Sequence, residues 1–537
     1  MTRLYNGTPE QTMVKVIAVQ GDVYFLGPQD AVMAAWKHFN AEVAKNMGLE
    51  INRQKTGVLV LSGTVVTRLR EEGLQSSEVS IQALGTILTR DMQVLSAWLE
   101  REMKNKYQRL FRTVKDRYMP VQVAFTLLRT CAIPLVNYWM RTTPPTASYK
   151  LAEEFDKLVL QTASSILALP SPLSTVAKHQ LNLPVKKGGF GLRSMMQLAD
   201  VAWISAMGQA IQYCSQFAGK DKPSKQVAKP LDECVARIND MIGQCRLPGT
   251  GNDFWETYMK DPIHPGLQKE LMELITDKKQ EELRLEEGKR SKSDEARWRS
   301  ISLEHTGLWI TTTPSHQLYR VADGHFRAAA RIRLGLPPHD DIRHCACGTS
   351  LHQLPQHFLS CRGLFGMNSV RHNQIRNTLM RTAASLQIAA RAEPIIDYSD
   401  NARGDAVFYF RAKHTMIDVA VVNPLGLSYL DTTTREERGA AKKMEQAKTH
   451  KYADRVHRTG ALFFPFVMES TGAFGPQAEK FIEKFVDDIR CGGKQTLIQG
   501  NIANHIRKVT AFALCEGNGL LYEEGIRKAR SLGLAHY

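Results

Sequence analysis

Cysteine, long apolar runs and acidic residues are all in short supply in this chain of 537 residues, and each shortage narrows what it can be. Nine cysteines, an odd number, are too few and too scattered for a disulfide scaffold. Three of them fall between Cys345 and Cys361, which favours a reducing compartment with one local metal site. No apolar run reads as long enough to span a bilayer. The opening residues MTRLYNGTPEQTMVK lack the apolar centre of a secretory signal. The expectation is an intracellular, soluble protein with no membrane partner and no evident small-molecule substrate. Acids are outnumbered, 54 Asp and Glu against 70 Lys and Arg, for a net charge of +16. Such an excess favours a polyanionic partner, nucleic acid first, through phosphate neutralisation and counterion release.

What is present suits a folded chain of several units, with 43% hydrophobic and 23% charged residues. Residues 14–27 read as two short strands around the tip Gln20-Gly21-Asp22. A helix is expected over 29–47, followed by a strand-rich return that includes Lys55. From about 90 to 215 the spacing is helical. Over 101–118 it puts Met103, Tyr107, Leu110, Phe111, Val114 and Tyr118 on one stripe. The other faces carry Lys104, Lys106, Arg109 and Arg112, which suit a solvated surface and equally a track for a nucleic-acid strand. Residues 218–226 read as a loop. The mixed-charge run 277–299 reads as an exposed helix or a linker, with a boundary near it.

Cys345-x-Cys347-x9-His357-x3-Cys361 has the ligand set of a Cys₃His zinc site, with His344 and His352 as alternatives for the fourth ligand. Beyond it the pattern turns to α/β: a helix at 368–391, strands at 404–410 and 415–423, a helix at 435–457, a strand at 461–469 and a helix at 476–490. Asp418 stands inside an apolar strand, which is costly unless the carboxylate is paired or metal-bound. A hairpin would bring Asp405 to it from the preceding strand. Lys448 and Lys451 lie one turn apart on the next helix with Tyr452 beside them, and Glu469 is a further acid. Two carboxylates and a lysine are what a Mg²⁺- or Mn²⁺-dependent phosphodiester cleavage needs.

In order along the chain, these features resemble non-LTR retrotransposon polyproteins, particularly site-specific ones such as those of trypanosomatid spliced-leader genes. Gln20-Gly21-Asp22 resembles the polymerase palm motif, and Gly48-Leu49-Glu50-Ile51-Asn52 with Lys55-Thr56 resembles the next one. Leu127 through Pro145, and Leu183-Pro184 with Gly188–Leu192, resemble the helical region that follows. Arg371-His372-Asn373 resembles an Arg-His-Asp signature of the restriction-like endonucleases, and Gly404-Asp405 stands where the family has Pro-Asp. The resemblance implies a fold of α/β and α parts. A partial reverse transcriptase palm at 1–90 leads to a helical thumb-like region at 91–217 and a charged linker and helical region at 218–342. A structural zinc knuckle at 343–365, a restriction-endonuclease-like α/β domain at 366–500 and a helical tail at 501–537 complete it.

As roles, the resemblance implies Asp405, Asp418, Lys448, Lys451, Tyr452 and Glu469 for cleavage and Asp22 and Lys55 as a polymerase remnant. Lys104, Lys106, Arg109, Arg112, Arg371 and His372 would contact nucleic acid. The expected partners are a DNA target and element RNA, and the place is the nucleus. No Asp precedes Asp22, and Gly21 holds the first position of the pair, so polymerisation is not expected. Two other readings compete. One is a nucleic-acid-binding module that keeps the zinc site and cleaves nothing; the other is an unrelated basic zinc protein.

Overall fold

The computed structural model describes residues 14–19, 22–61, 74–218, 225–261, 265–397, 401–491 and 502–534, so the tip residues Gln20 and Gly21 lie outside the described residues. The N-terminal stretch is built of short pairs. β1 (Lys15–Val19) and β2 (Asp22–Leu26) form an antiparallel hairpin, as the alternating pattern predicts. α1 (Gln29–His38) continues through a π-turn to Asn46. β3 (Gly57–Leu59) then pairs in parallel with β4 (Gln75–Ser77), and β5 (Ser80–Ala83) pairs with β6 (Thr86–Thr89). Among the described residues these remain three separate two-stranded sheets, with Trp36 and Leu74 as a small core.

A helical body follows. α2 (Met92–Val114) starts where the Asp91 side chain accepts the amides of Gln93 and Val94, an N-cap worth about 1 kcal/mol. Its buried stripe is Met103, Tyr107, Phe111 and Val114, while Leu110 is half-buried. Tyr118 departs from expectation: the helix ends at Val114, and the ring beyond it is 78% exposed. Lys104, Lys106, Arg109 and Arg112 all lie on the exposed side.

α3 (Val121–Leu127) runs through a second π-turn into α4 (Ile133–Thr142). This continuous stretch is long and apolar enough to cross a membrane, contrary to the sequence reading. Here it is a core helix: Phe125, Leu128, Val136 and Met140 are fully buried in one cluster with α5 (Pro145–Leu167), α6 (Met195–Ala218) and α7 (Lys225–Ile242).

The charged run 277–299 is neither linker nor wholly exposed. It forms α8 (Leu267–Gly288) and α9 (Lys292–Ile301). Pairs such as Arg284–Glu281 and Arg299–Glu295 neutralise the outer faces. Arg297 is 1% exposed, ion-paired to Glu287, and it donates to the carbonyl of Arg333 at 2.8 Å and to Gln180 at 3.2 Å. Glu287 also accepts the Trp298 indole N–H at 2.7 Å. The whole set is buried between helices that sequence periodicity assigns to solvent.

The C-terminal part is layered. β7 (Ala390–Ala392) is followed by the separate pair β8 (Ile395–Asp397) and β9 (Ala402–Arg403), and with β10 (Ala406–Phe408), β11 (Thr415–Val422) and β12 (Leu462–Glu469) it makes a four-stranded sheet in the order β12-β11-β10-β7. β10 and β11 are antiparallel, and β12 lies parallel to β11. A parallel neighbour needs a crossover. After the short α12 (Leu430–Arg435), α13 (Gly439–Arg458) supplies it and covers one face. α11 (Phe365–Ser385) and α14 (Pro476–Cys491) cover the other around Phe408, Phe466 and Phe481, whose rings meet edge to face at 5.1–5.8 Å.

α15 (Ile502–Ser531), thirty residues long, is largely buried between α11, α14, α10 (Asp323–Leu334) and the Cys/His segment. Small residues permit that approach. A Cβ at Gly519 would lie 2.2 Å from the His325 ring, and one at Gly525 would lie 2.6 Å from Phe358. The molecule is therefore a mixed α/β protein, mostly helical, with one small mixed sheet.

Removing the acid of the buried pair leaves a cation without its counter-charge. Glu287→Ala should destabilise the chain by about 3–5 kcal/mol, read as a lower urea midpoint with tryptophan fluorescence as the probe. An unchanged midpoint would show that the pair contributes nothing net.

Candidate active site

The β10–β11 register pairs Ala406 with Ile417, and its continuation sets Asp405 opposite Asp418. The strands close at that end because residue 404 is glycine: a Cβ there would lie 2.7 Å from the Met416 sulfur. Asp405 Oδ2 accepts the Val419 amide at 2.5 Å, and Asp405 Oδ1 lies 3.1 Å from His372 Nε2 on α11. Asp418 is 5% exposed, with Lys448 Nζ of α13 at 2.5 Å from its Oδ2. That contact pairs the buried carboxylate with one cation from the crossover helix. Burial and then the Asp405 charge push the Asp418 carboxyl up, while Lys448 and His372 pull it down.

The inner stripe of α13 explains how the lysine gets there. Ala441, Glu445, Lys448, Tyr452 and Val456 recur at helical spacing, so Lys448 points at the sheet between Glu445 and Tyr452. Tyr452 packs on Phe463, with ring centroids 5.9 Å apart, and Lys451 Nζ sits 4.7 Å from the centre of the Tyr452 ring on the exposed side. Asp405, Asp418, Lys448 and His372 thus meet at one point, with Lys451 and Tyr452 at its rim. Sequence spacing did not point to the His372–Asp405 contact.

Other candidates lie elsewhere. Glu469 shares a face with Asp418, but β11 pairs Asp418 with Pro465 and Val422 with Glu469, which puts the two acids about 13 Å apart along the strands. Glu469 is fully buried and accepts from Ser300 Oγ at 2.5 Å; burial raises its carboxyl. Arg371 is 4% exposed, where no phosphate reaches it. Its guanidinium donates to Asn518 at 2.9 Å, Asn368 at 3.0 Å and the Leu359 carbonyl at 3.3 Å. Asp22 is exposed and accepts from the Tyr24 hydroxyl at 3.3 Å, and Lys55 lies in an exposed turn.

Cys345, Cys347, His357 and Cys361 place one ligand atom each within 4.8 Å of all the others. Sulfur separations of 3.6 and 3.8 Å match the edge of about 3.8 Å expected for a tetrahedron with 2.3 Å zinc–sulfur bonds. His357 Nε2 lies 3.1 Å from Cys347 Sγ, so of the three candidate histidines His357 is the one in this group. Burial pushes the Cys345 thiol up to about 12. At Cys347 burial is outweighed by hydrogen bonding to Thr349, Cys345 and His357, which brings the thiol down to about 6. These four residues could hold zinc. The segment is docked, not free: Phe358 meets Tyr522 edge to face, and Lys528 donates to the Gly363 carbonyl at 2.9 Å.

Glu445 carries no expectation from the sequence, although its place on the inner stripe of α13 was a signal. Its carboxylate accepts the Gln477 amide at 2.9 Å at the start of α14, and burial raises its pKa to about 7.

Opposed acids on a mixed sheet, a lysine from the crossover helix and a docked Cys₃His cluster make the class a carboxylate–lysine centre on an α/β layer attached to a helical body. No family model matches the chain. Over 179 residues it is 26% identical to the retrotransposable element SLACS 132 kDa protein of Trypanosoma brucei gambiense, a match covering 32% of this chain and 14% of that protein. The chain is therefore retrotransposon-like, distantly related to a trypanosomatid element protein and matching a small part of its length.

Two outcomes are expected. Because the folded pKa of Glu445 lies above its unfolded value of about 4.5, folding binds a proton between them, and stability falls as pH rises from about 4.5 to 7. Glu445→Gln should thus be about 1–3 kcal/mol more stable than the parent at pH 8 and equal to it at pH 4, by denaturant unfolding. Elemental analysis should find about one zinc per chain, lost in Cys361→Ser. Full zinc retention in that variant would remove Cys361 from the ligand set.

Proposed function

We propose that the chain is a relative of a retrotransposon reverse transcriptase–endonuclease whose C-terminal α/β part nicks DNA with a divalent metal, as in target-primed insertion. The observation that supports this most is the meeting of Asp405 and the buried Asp418 from adjacent strands with Lys448 from the crossover helix. Hard carboxylate oxygens from adjacent strands suit Mg²⁺ or Mn²⁺. Such an ion, when bound, polarises the scissile phosphate and lowers the pKa of an attacking water. Asp405 and Asp418 would hold it. Lys448 would neutralise charge on the phosphate, with Lys451 and Tyr452 along the strand. Zinc at Cys345, Cys347, His357 and Cys361 would be structural. The exposed row Lys104, Lys106, Arg109 and Arg112 suits the backbone of DNA or element RNA, and the nucleus is where such a target lies. On the hairpin that resembles a polymerase motif, Asp22 follows a glycine, and one carboxylate does not position two metal ions.

The test is supercoiled plasmid with Mg²⁺ or Mn²⁺, parent beside Asp405→Ala/Asp418→Ala. Nicking by the parent and none by the variant is expected, and an annealed primer offered with nucleotides should stay unextended. If neither protein nicks while both retain DNA, the chain is a binding module and cleavage is withdrawn.

A further inference from the structure

Arg371 and His372 are consecutive on α11 and point about 100° apart around its axis. Arg371 fixes the rotation of the helix. It is buried and bonded at once to Asn518 on α15, to Asn368 one turn earlier and to the Leu359 carbonyl in the Cys/His segment. A Cβ at Gly517 would lie 2.5 Å from Arg371 Cγ, so the helices touch there and α11 cannot roll. With that face pinned, the next side chain is aimed at the start of β10, where His372 Nε2 stands 3.1 Å from Asp405 Oδ1. Asp405 Oδ2 is already held by the Val419 amide at 2.5 Å. A carboxylate gripped at both oxygens does not swing about its terminal torsion.

We propose that His372 is a positioning residue: its Nε2–H donates to Asp405 and holds that carboxylate in the orientation from which it shares one cation with Asp418. The inference rests on the metal-dependent reading of this site and replaces the nucleic-acid contact that the resemblance implies for His372. At 30% side-chain exposure His372 is not a packing residue, and the contact joins two elements, α11 and β10, that no backbone hydrogen bond links at this point.

The test titrates Mn²⁺, followed by its electron paramagnetic resonance signal, into the full chain and into His372→Ala, His372→Gln and His372→Asn. DNA affinity is measured alongside without divalent ions. Removing an outer-shell partner should weaken Mn²⁺ binding about tenfold in His372→Ala. Glutamine, whose amide nitrogen reaches the place of Nε2, should restore most of it, and the shorter asparagine should not. DNA affinity should stay within about twofold of the parent, because the proposed contact is to Asp405 and not to phosphate. Parent-like Mn²⁺ binding in His372→Ala, or a glutamine variant no better than asparagine, overturns the proposal while leaving the nuclease reading standing. Loss of DNA affinity with Mn²⁺ binding intact overturns it in favour of a phosphate contact. If the parent binds no more Mn²⁺ than Asp405→Ala/Asp418→Ala, the metal reading itself fails and this role falls with it. Should the alanine variant not fold, the comparison of glutamine with asparagine decides alone.

Discussion

The arrangement depends on one buried cation. A guanidinium taken out of water costs several kcal/mol unless its donors are met, and burial lowers Arg371 to about 10. What meets it comes from three places: the turn that carries His357, its own helix, and Asn518 in the middle of α15. Asn518 in turn donates to the Ser470 carbonyl at 2.8 Å, just past the end of β12. Asn423, just past the end of β11, donates to Ser360 Oγ at 3.2 Å. The Cys/His segment, the strand bearing Asp418 and the helix bearing His372 are therefore registered on one another by a few directed bonds, around an apolar core that is itself non-directional.

How much of this was legible in the chain differs element by element. The helix at 365–385 and the strands at 415–422 and 462–469 follow from a helical pattern giving way to short apolar runs and are found close to where the sequence puts them. Asp418 stood out because a carboxylate between Ile417 and Val419 violates the local pattern, and the Cys/His spacing carries its own geometry. Partners distant in sequence were not legible. Arg371 and Asn518 are 147 positions apart, and Arg297 and Gln180 are 117 apart. A charged residue reads as solvated until its buried partner is known, and this is why 277–299 reads as an exposed helix or a linker. Glu469 was drawn into the site by type and order; strand register, which composition does not encode, separates it.

The relationship to a retroelement protein and the geometry of the acids are independent findings. One comes from 179 aligned residues, the other from where two strands and two helices converge. They meet in chemistry. A carboxylate pair that could take a divalent cation needs hard oxygen ligands held rigidly. Here the carboxylates sit on a sheet buried on both faces, while Lys448 is carried by a helix that has solvent on its other side.

α15 also has a consequence in time. Residues 502–531 are synthesised after everything they hold together, and α10, α11 and the Cys/His turn all present their apolar sides to it. During translation those surfaces wait uncovered until the ribosome has added it, at about 5–20 residues per second. Even the helical body takes Phe512 and Cys515 of α15 into its core. Both parts are therefore completed only when α15 docks, and nonsense changes within it would leave the acid centre unassembled although every residue of it had been made.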